Sequence, residues 1–158
     1  MQQHEAAKTC LQVIANVAKR LEAMHDAGYA HHDLKPANVM WLPRENQWTL
    51  IDFGCASPLR RRAPLRFTLA YAAPEVIKAW RAGERQCVST PAVDAWALGV
   101  MVYELLTGKA AFDVFMQGRD AVRFCATVCC SVLCDAVVLC ACRLHEGNRS
   151  GQAVGREI

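Results

Sequence analysis

Four side chains near one another in the chain have the types that phosphate chemistry uses. Asp33, Lys35 and Asn38 fall in the string His31-His32-Asp33-Leu34-Lys35-Pro36-Ala37-Asn38, and Asp52-Phe53-Gly54 follows two short apolar runs later. A carboxylate at Asp33, on a tight loop between a helix and a strand, can face a cleft and accept a proton. Lys35 sets a positive charge beside it. The Asn38 amide oxygen and the Asp52 carboxylate are hard oxygen ligands of the kind Mg²⁺ prefers. Gly54 permits an unusual backbone turn directly after Asp52-Phe53. A base, a cation and two metal ligands on neighbouring loops suit phosphoryl transfer, where catalysis is mainly positioning and charge neutralisation.

The elements that must hold these loops can be read from the pattern around them. Residues 5–27 predict an amphipathic helix, with Leu11, Ile14, Val17, Ala18, Leu21 and Met24 on one face. Gly28 ends it. Val39–Leu42 and Trp48–Ile51 flank the polar stretch Pro43–Gln47 and predict a hairpin. Cys55–Phe67 has two prolines, four arginines and no periodicity, so a loop is expected. Pro74–Trp80 opens with proline in a first helical turn. Residues 81–91 are polar and predict a loop. Ala92–Thr107 is apolar almost all round, which predicts a buried helix, and Gly108 stops it.

Bulk composition narrows the class. The chain has 158 residues, enough for one domain with a real core, and 53% of them are hydrophobic. Lys and Arg number 18 against 15 Asp and Glu, a net charge of +3. That balance is too mild to argue for nucleic acid or a membrane surface. The segment MQQHEAAKTC has no apolar core and no cleavage-site pattern. With nine cysteines and no secretory signal, a reducing, intracellular and cytoplasmic setting is expected. Six of the nine lie between Cys125 and Cys142, in a stretch dominated by cysteine, valine and alanine. No C-x-x-C occurs there, which argues against zinc. Phe124–Cys142 is long enough to span a bilayer, but Asp135 interrupts it.

The motifs resemble those of the eukaryotic-type protein kinases. The catalytic-loop pattern H-R-D-L-x-x-x-N matches at every fixed position except His32, which stands where arginine is usual. Asp52-Phe53-Gly54 and Ala73-Pro74-Glu75 match two further signatures. Thr68 and Tyr71 precede the latter at the spacing of Ser/Thr kinases. Asp94–Gly99 and Glu104–Lys109 resemble the central buried helix of the fold and its end. The resemblance implies that Asp33 accepts or orients a substrate hydroxyl proton and that Lys35 stabilises the transferring phosphoryl group. It implies Mg²⁺ on Asn38 and Asp52, and Thr68 against the catalytic loop on the substrate side. His31 and Gly54 become structural supports. Asp94 would brace the loop through its backbone, and Glu75 would pair with a later arginine. ATP and Mg²⁺ are the implied cofactors, and a protein Ser or Thr is the implied acceptor.

The fold expected is mainly α with a small β-hairpin, a kinase-like large lobe whose small lobe is absent. Neither a G-x-G-x-x-G loop nor a V-A-I-K-type lysine occurs in the chain. Residues 1–115 are expected to form the partial kinase domain, and 116–158 a cysteine-rich tail unlike a kinase, helical or poorly ordered. The function expected is phosphoryl transfer from ATP to Ser or Thr, with the truncated chain alone inactive or nearly so. The alternative is a non-catalytic binding or scaffold module. His32 cannot form the fork of donors that arginine offers a phosphate. It therefore points to a kinase that does without loop phosphorylation, or else to a weak, pH-sensitive phosphate partner or impaired function. Arg60, Arg61, Arg62 and Arg66 form either a solvated basic loop or a site for acidic substrate or phosphate.

Overall fold

The computed structural model describes residues 2–112. The tail from 116 onward, with its considered metal site and bilayer span, lies outside the described residues.

The long helix α1 runs from Gln2 to Asp26. Gly28 follows at φ 86, a left-handed turn that glycine enters freely. The chain then passes through β1 (Tyr29–Ala30) into the catalytic-type loop, and on to the hairpin β2 (Val39–Leu42) and β3 (Gln47–Leu50). The hairpin register sets Trp41 opposite Trp48, with ring centroids 5.3 Å apart. Asn46 closes its turn at φ 49, a conformation asparagine tolerates better than most residues. Trp48 N donates to Asn16 Oδ1 at 2.8 Å and ties the hairpin to α1.

The expected loop from Cys55 to Phe67 contains two strands, β4 (Ser57–Pro58) and β5 (Arg62–Pro64). The expected loop 81–91 holds a third, β6 (Gln86–Val88). β4 pairs with β1, and β5 with β6, each antiparallel. These strands have two or three residues, too few for a period, and their partners are distant in sequence. Helix α2 spans Pro74–Arg81 and α3 spans Pro91–Thr107. Gly108 caps α3 at φ 67.

One core joins α1, the hairpin and α3 through Val13, Val17, Leu21, Leu34, Leu50, Ala97, Leu98 and Met101. Each fully buried aliphatic side chain there contributes about 1.5–3 kcal/mol. Leu11 was expected on this face, yet it is 59% exposed. The stripe runs instead through Cys10, whose Sγ donates to Leu105 O at 3.4 Å. Leu11 lies one helical step, about 100°, around from it. A second cluster holds Ala72, Ala73, Val76, Ile77 and Val93. The expected burial of α3 holds from Val93 to Met101, while Tyr103 and Leu106 are exposed. No helix among the described residues is long and apolar enough to cross a membrane.

Candidate active site

Asp94 organises the loop that carries Asp33. It opens the buried half of α3 and is itself fully buried. Its Oδ2 accepts from His31 N and its Oδ1 from His32 N, at 2.8 and 2.9 Å. His25 Nε2, from the last turn of α1, donates to Oδ2 at 2.8 Å. Three donors from two elements therefore converge on one carboxylate. Sequence reasoning did not single out His25.

His31 is fully buried, and both ring nitrogens are occupied. Asp33 N donates to Nδ1 at 3.3 Å, so the ring proton sits on Nε2 and is donated to Ile51 O at 3.3 Å. The ring also lies 5.4 Å from that of Phe53. His31 thus links the Asp33 loop to the Asp52 loop and presents no nitrogen for proton transfer.

Three of the sequence-derived residues meet around the Asp33 carboxylate. Thr68 Oγ1 donates to Asp33 Oδ1 at 2.7 Å. Lys35 Nζ donates to Asp33 Oδ2 at 2.6 Å and to Thr68 Oγ1 at 3.0 Å. Asn38 Nδ2 donates to Asp33 O at 2.8 Å and reaches Oδ2 at 3.4 Å. Burial pushes the Asp33 carboxyl up, but the bonds and charge of Lys35, with those of Thr68 and Asn38, outweigh it. The net effect holds Asp33 below the usual carboxylate range, so it is ionised at neutral pH.

Asp52 adopts a left-handed backbone, φ 59 and ψ 74, and accepts from Gly54 N at 3.3 Å. A non-glycine residue held there carries strain of order 1–3 kcal/mol, a cost often met at working sites. A β-carbon at Gly54 would come within 3.2 Å of Asp52 Oδ1, so glycine leaves that oxygen room. Because Asn38 donates through Nδ2, its Oδ1 remains for a cation. Among the described residues no three His, Cys, Asp or Glu side chains converge on a metal position. The donor set fits Mg²⁺, which takes one or two protein oxygens and completes its shell with water and phosphate.

Other expected residues fall differently. The resemblance implies that Glu75 pairs with a later arginine. Glu75 is exposed, so water solvates it and no burial penalty arises. His32 is 7% exposed, and burial pushes its imidazole down despite the nearby Asp94 charge, with His31 pushing the same way. It is therefore neutral at pH 7 and offers no cation to a phosphate. Arg62 bonds Glu84 at 3.2 Å, and Arg66 reaches Gly54 O at 3.4 Å. Burial and the charges of Asp33 and Asp52 keep Cys55 a thiol.

Tyr71 ties the segment after Thr68 to α3. Its hydroxyl donates to Glu104 Oε2 at 2.6 Å, and burial followed by this bond raises the phenol well above its usual range. Tyr71→Phe should cost about 1 kcal/mol in urea denaturation, the contact being partly solvated. Glu104→Gln should cost no more, and the pair of changes less than their sum. A Tyr71→Phe chain as stable as the original would show that the bond contributes nothing.

The family model described as "Protein kinase domain" matches residues 2–130. The serine/threonine-protein kinase 16 of Mus musculus is 33% identical over 125 residues, covering 71% of this chain and 39% of that protein. The hormonally up-regulated neu tumor-associated kinase homolog B of Xenopus laevis is 38% identical over 120 residues, covering 72% of this chain and 17% of that protein. Among solved structures, the Cydia pomonella granulovirus kinase PK-1 matches with a TM-score of 0.58 at 24% identity. That match covers 69% of this chain and 38% of the viral kinase, and it supports a kinase-like fold. The chain thus spans well under half the length of these relatives.

Proposed function

Because the chain belongs to the protein kinase family, we propose that it carries the large-lobe half of a serine/threonine kinase site, which transfers the terminal phosphoryl group of ATP to a protein hydroxyl. The observation that carries this reading is the triangle of Asp33, Lys35 and Thr68. One carboxylate, one ammonium and one hydroxyl lie within 3.0 Å of one another along each edge. A Ser or Thr hydroxyl entering beside Thr68 would hydrogen-bond the Asp33 carboxylate. Asp33 would orient that hydroxyl along the line of attack and take up its proton as the new bond forms. Being a weak base, it contributes more through orientation than through pull. Lys35 would place its charge where the oxygens of the moving phosphoryl group gather negative charge.

Asn38 Oδ1 and the Asp52 carboxylate are the groups that would hold Mg²⁺. When bound, the ion neutralises phosphate charge and so favours transfer. Asp94, acting through the backbone of His31 and His32, keeps the Asp33 loop in register with these groups. The acceptor is assigned as protein Ser or Thr on the resemblance of the Lys35 and Thr68 motifs, and ATP on the family.

Nucleotide binding can be read without turnover. ATP and Mg²⁺ at about five times their Kd should stabilise the chain by about 1 kcal/mol. For a chain of this size that is about 2–4 °C in melting temperature. Asp52→Ala should abolish the Mg²⁺-dependent part of the rise. If millimolar ATP with Mg²⁺ produces no shift, the chain is better read as a binding module that holds a partner on this surface without chemistry.

A further inference from the structure

His32 stands where the resemblance places an arginine that grips a phosphorylated segment, and its side chain is committed elsewhere. It turns inward at φ 67, and Nε2 meets Ser89 Oγ at 2.7 Å. Ser89 is fully buried, just beyond β6. Its hydroxyl also reaches Ser57 O at 3.5 Å. With the hydroxyl proton directed to Ser57 O, the His32 Nε2–H donates to Ser89 Oγ, and every partner is satisfied. Ser89 N donates to Arg61 O at 2.8 Å, and Ser89 O accepts from Arg60 N at 2.9 Å. All the polar groups of one small residue are thus shared among the catalytic loop, β4 and the turn before β5.

The contact continues along β5 and β6. Arg62 pairs with Val88, Ala63 with Cys87 and Pro64 with Gln86, and Leu65 N donates to Arg85 O at 3.0 Å. Two- and three-residue strands are marginal alone. Buried hydrogen bonds to a well-packed loop are what such strands lack. Ser57 is itself buried, so its hydroxyl is not presented for modification. We propose that Ser89, acting through His32, latches the segment from Ser57 to Leu65 onto the catalytic loop, so that this segment is ordered without a phosphate on it. The proposal concerns the regulation of the kinase site and rests on that reading for its meaning, but its test needs no nucleotide.

Arg60, Arg61, Arg62 and Arg66 are exposed in or beside this segment and offer trypsin a direct reporter. Proteolysis at such sites follows local opening. The full chain, shown to be unphosphorylated by intact mass, should be cut slowly at these arginines compared with the same chain in urea. Ser89→Ala removes only a hydroxyl and should speed cleavage there about fivefold to tenfold. Cleavage after Lys19 and Arg20 in α1 should not change. His32→Asn, which tolerates the left-handed backbone, should act alike, and the double variant should be no faster than the faster single one.

Three results would overturn the latch. One is a wild-type chain cut at these arginines as fast as in urea. Another is equal acceleration in α1 and in the segment. The third is strictly multiplicative effects of the two substitutions. A failed ATP shift alongside the expected cleavage pattern would instead remove the kinase reading and leave the latch as a property of the fold.

Discussion

Replacing Asp94 by alanine should destabilise the chain by about 3–5 kcal/mol, measured by urea or guanidinium denaturation. The carboxylate is fully buried and is the acceptor for His31 N, His32 N and His25 Nε2. Alanine would leave two buried backbone N–H groups and a ring N–H with nothing to donate to, and each orphan costs about 1–3 kcal/mol. Water could recover only the part that reaches His25, whose side chain is 20% exposed. Asp94→Asn should cost less, since one oxygen still accepts while the new NH₂ faces a donor. Because the two amides belong to His31 and His32, the damage would concentrate in the Asp33 loop. Hydrogen exchange at His31 and His32 should rise more than exchange in the Val17–Leu21 core. A loss below about 1 kcal/mol for Asp94→Ala would show that the loop holds its shape without this brace.

The parts legible in the sequence are those whose reasons are local. The helix after Pro74 announces itself by proline in its first turn, and α3 by a long apolar run that ends on a glycine. The hairpin is visible because its two strands are neighbours with a polar turn between them. What the sequence hides depends on distant partners. β5 exists because residues 86–88 lie alongside it, and nothing in Arg62-Ala63-Pro64 taken alone suggests a strand. The same holds for single side chains. Asp33, Lys35, Asn38 and Asp52 could be singled out by type and spacing. His25 and Ser89 could not, because a lone histidine at a helix end and a serine among polar residues carry no signal of the groups they meet. Glu75 is singled out by its motif as a structural support, and in the folded chain its side chain stands exposed to water.

Asp33→Asn should lower the rate of phosphate transfer from ATP to a Ser or Thr peptide by about 10²–10⁴, relative to whatever rate the unaltered chain supports. The Mg²⁺·ATP thermal shift should persist, because Asn38 Oδ1 and Asp52 are untouched. Asparagine keeps an oxygen for the Thr68 hydroxyl, but its NH₂ would face the Lys35 ammonium where Oδ2 now accepts at 2.6 Å. It offers neither a charge to Lys35 nor a base to the acceptor. Thermal stability should fall as well, since the Lys35 and Asp33 side chains are only 24% and 12% exposed and the Lys35 charge loses its partner. The pH dependence gives the sign independently. Asp33 lies below its ordinary value of 3.8 when folded, so its contribution to stability is present above that pH and is lost as acid carries the pH down through the folded value. Asp33→Asn removes that part of the acid sensitivity, which a difference between the two acid-denaturation curves would display. A variant that keeps transfer within a few-fold of the original would take the base out of Asp33's role and leave the residue as a clamp for Lys35 and Thr68. A chain with no measurable transfer that still binds ATP would mean that this site holds nucleotide and metal without completing the reaction, because Asp33 and Lys35 can act only on a phosphate placed against them.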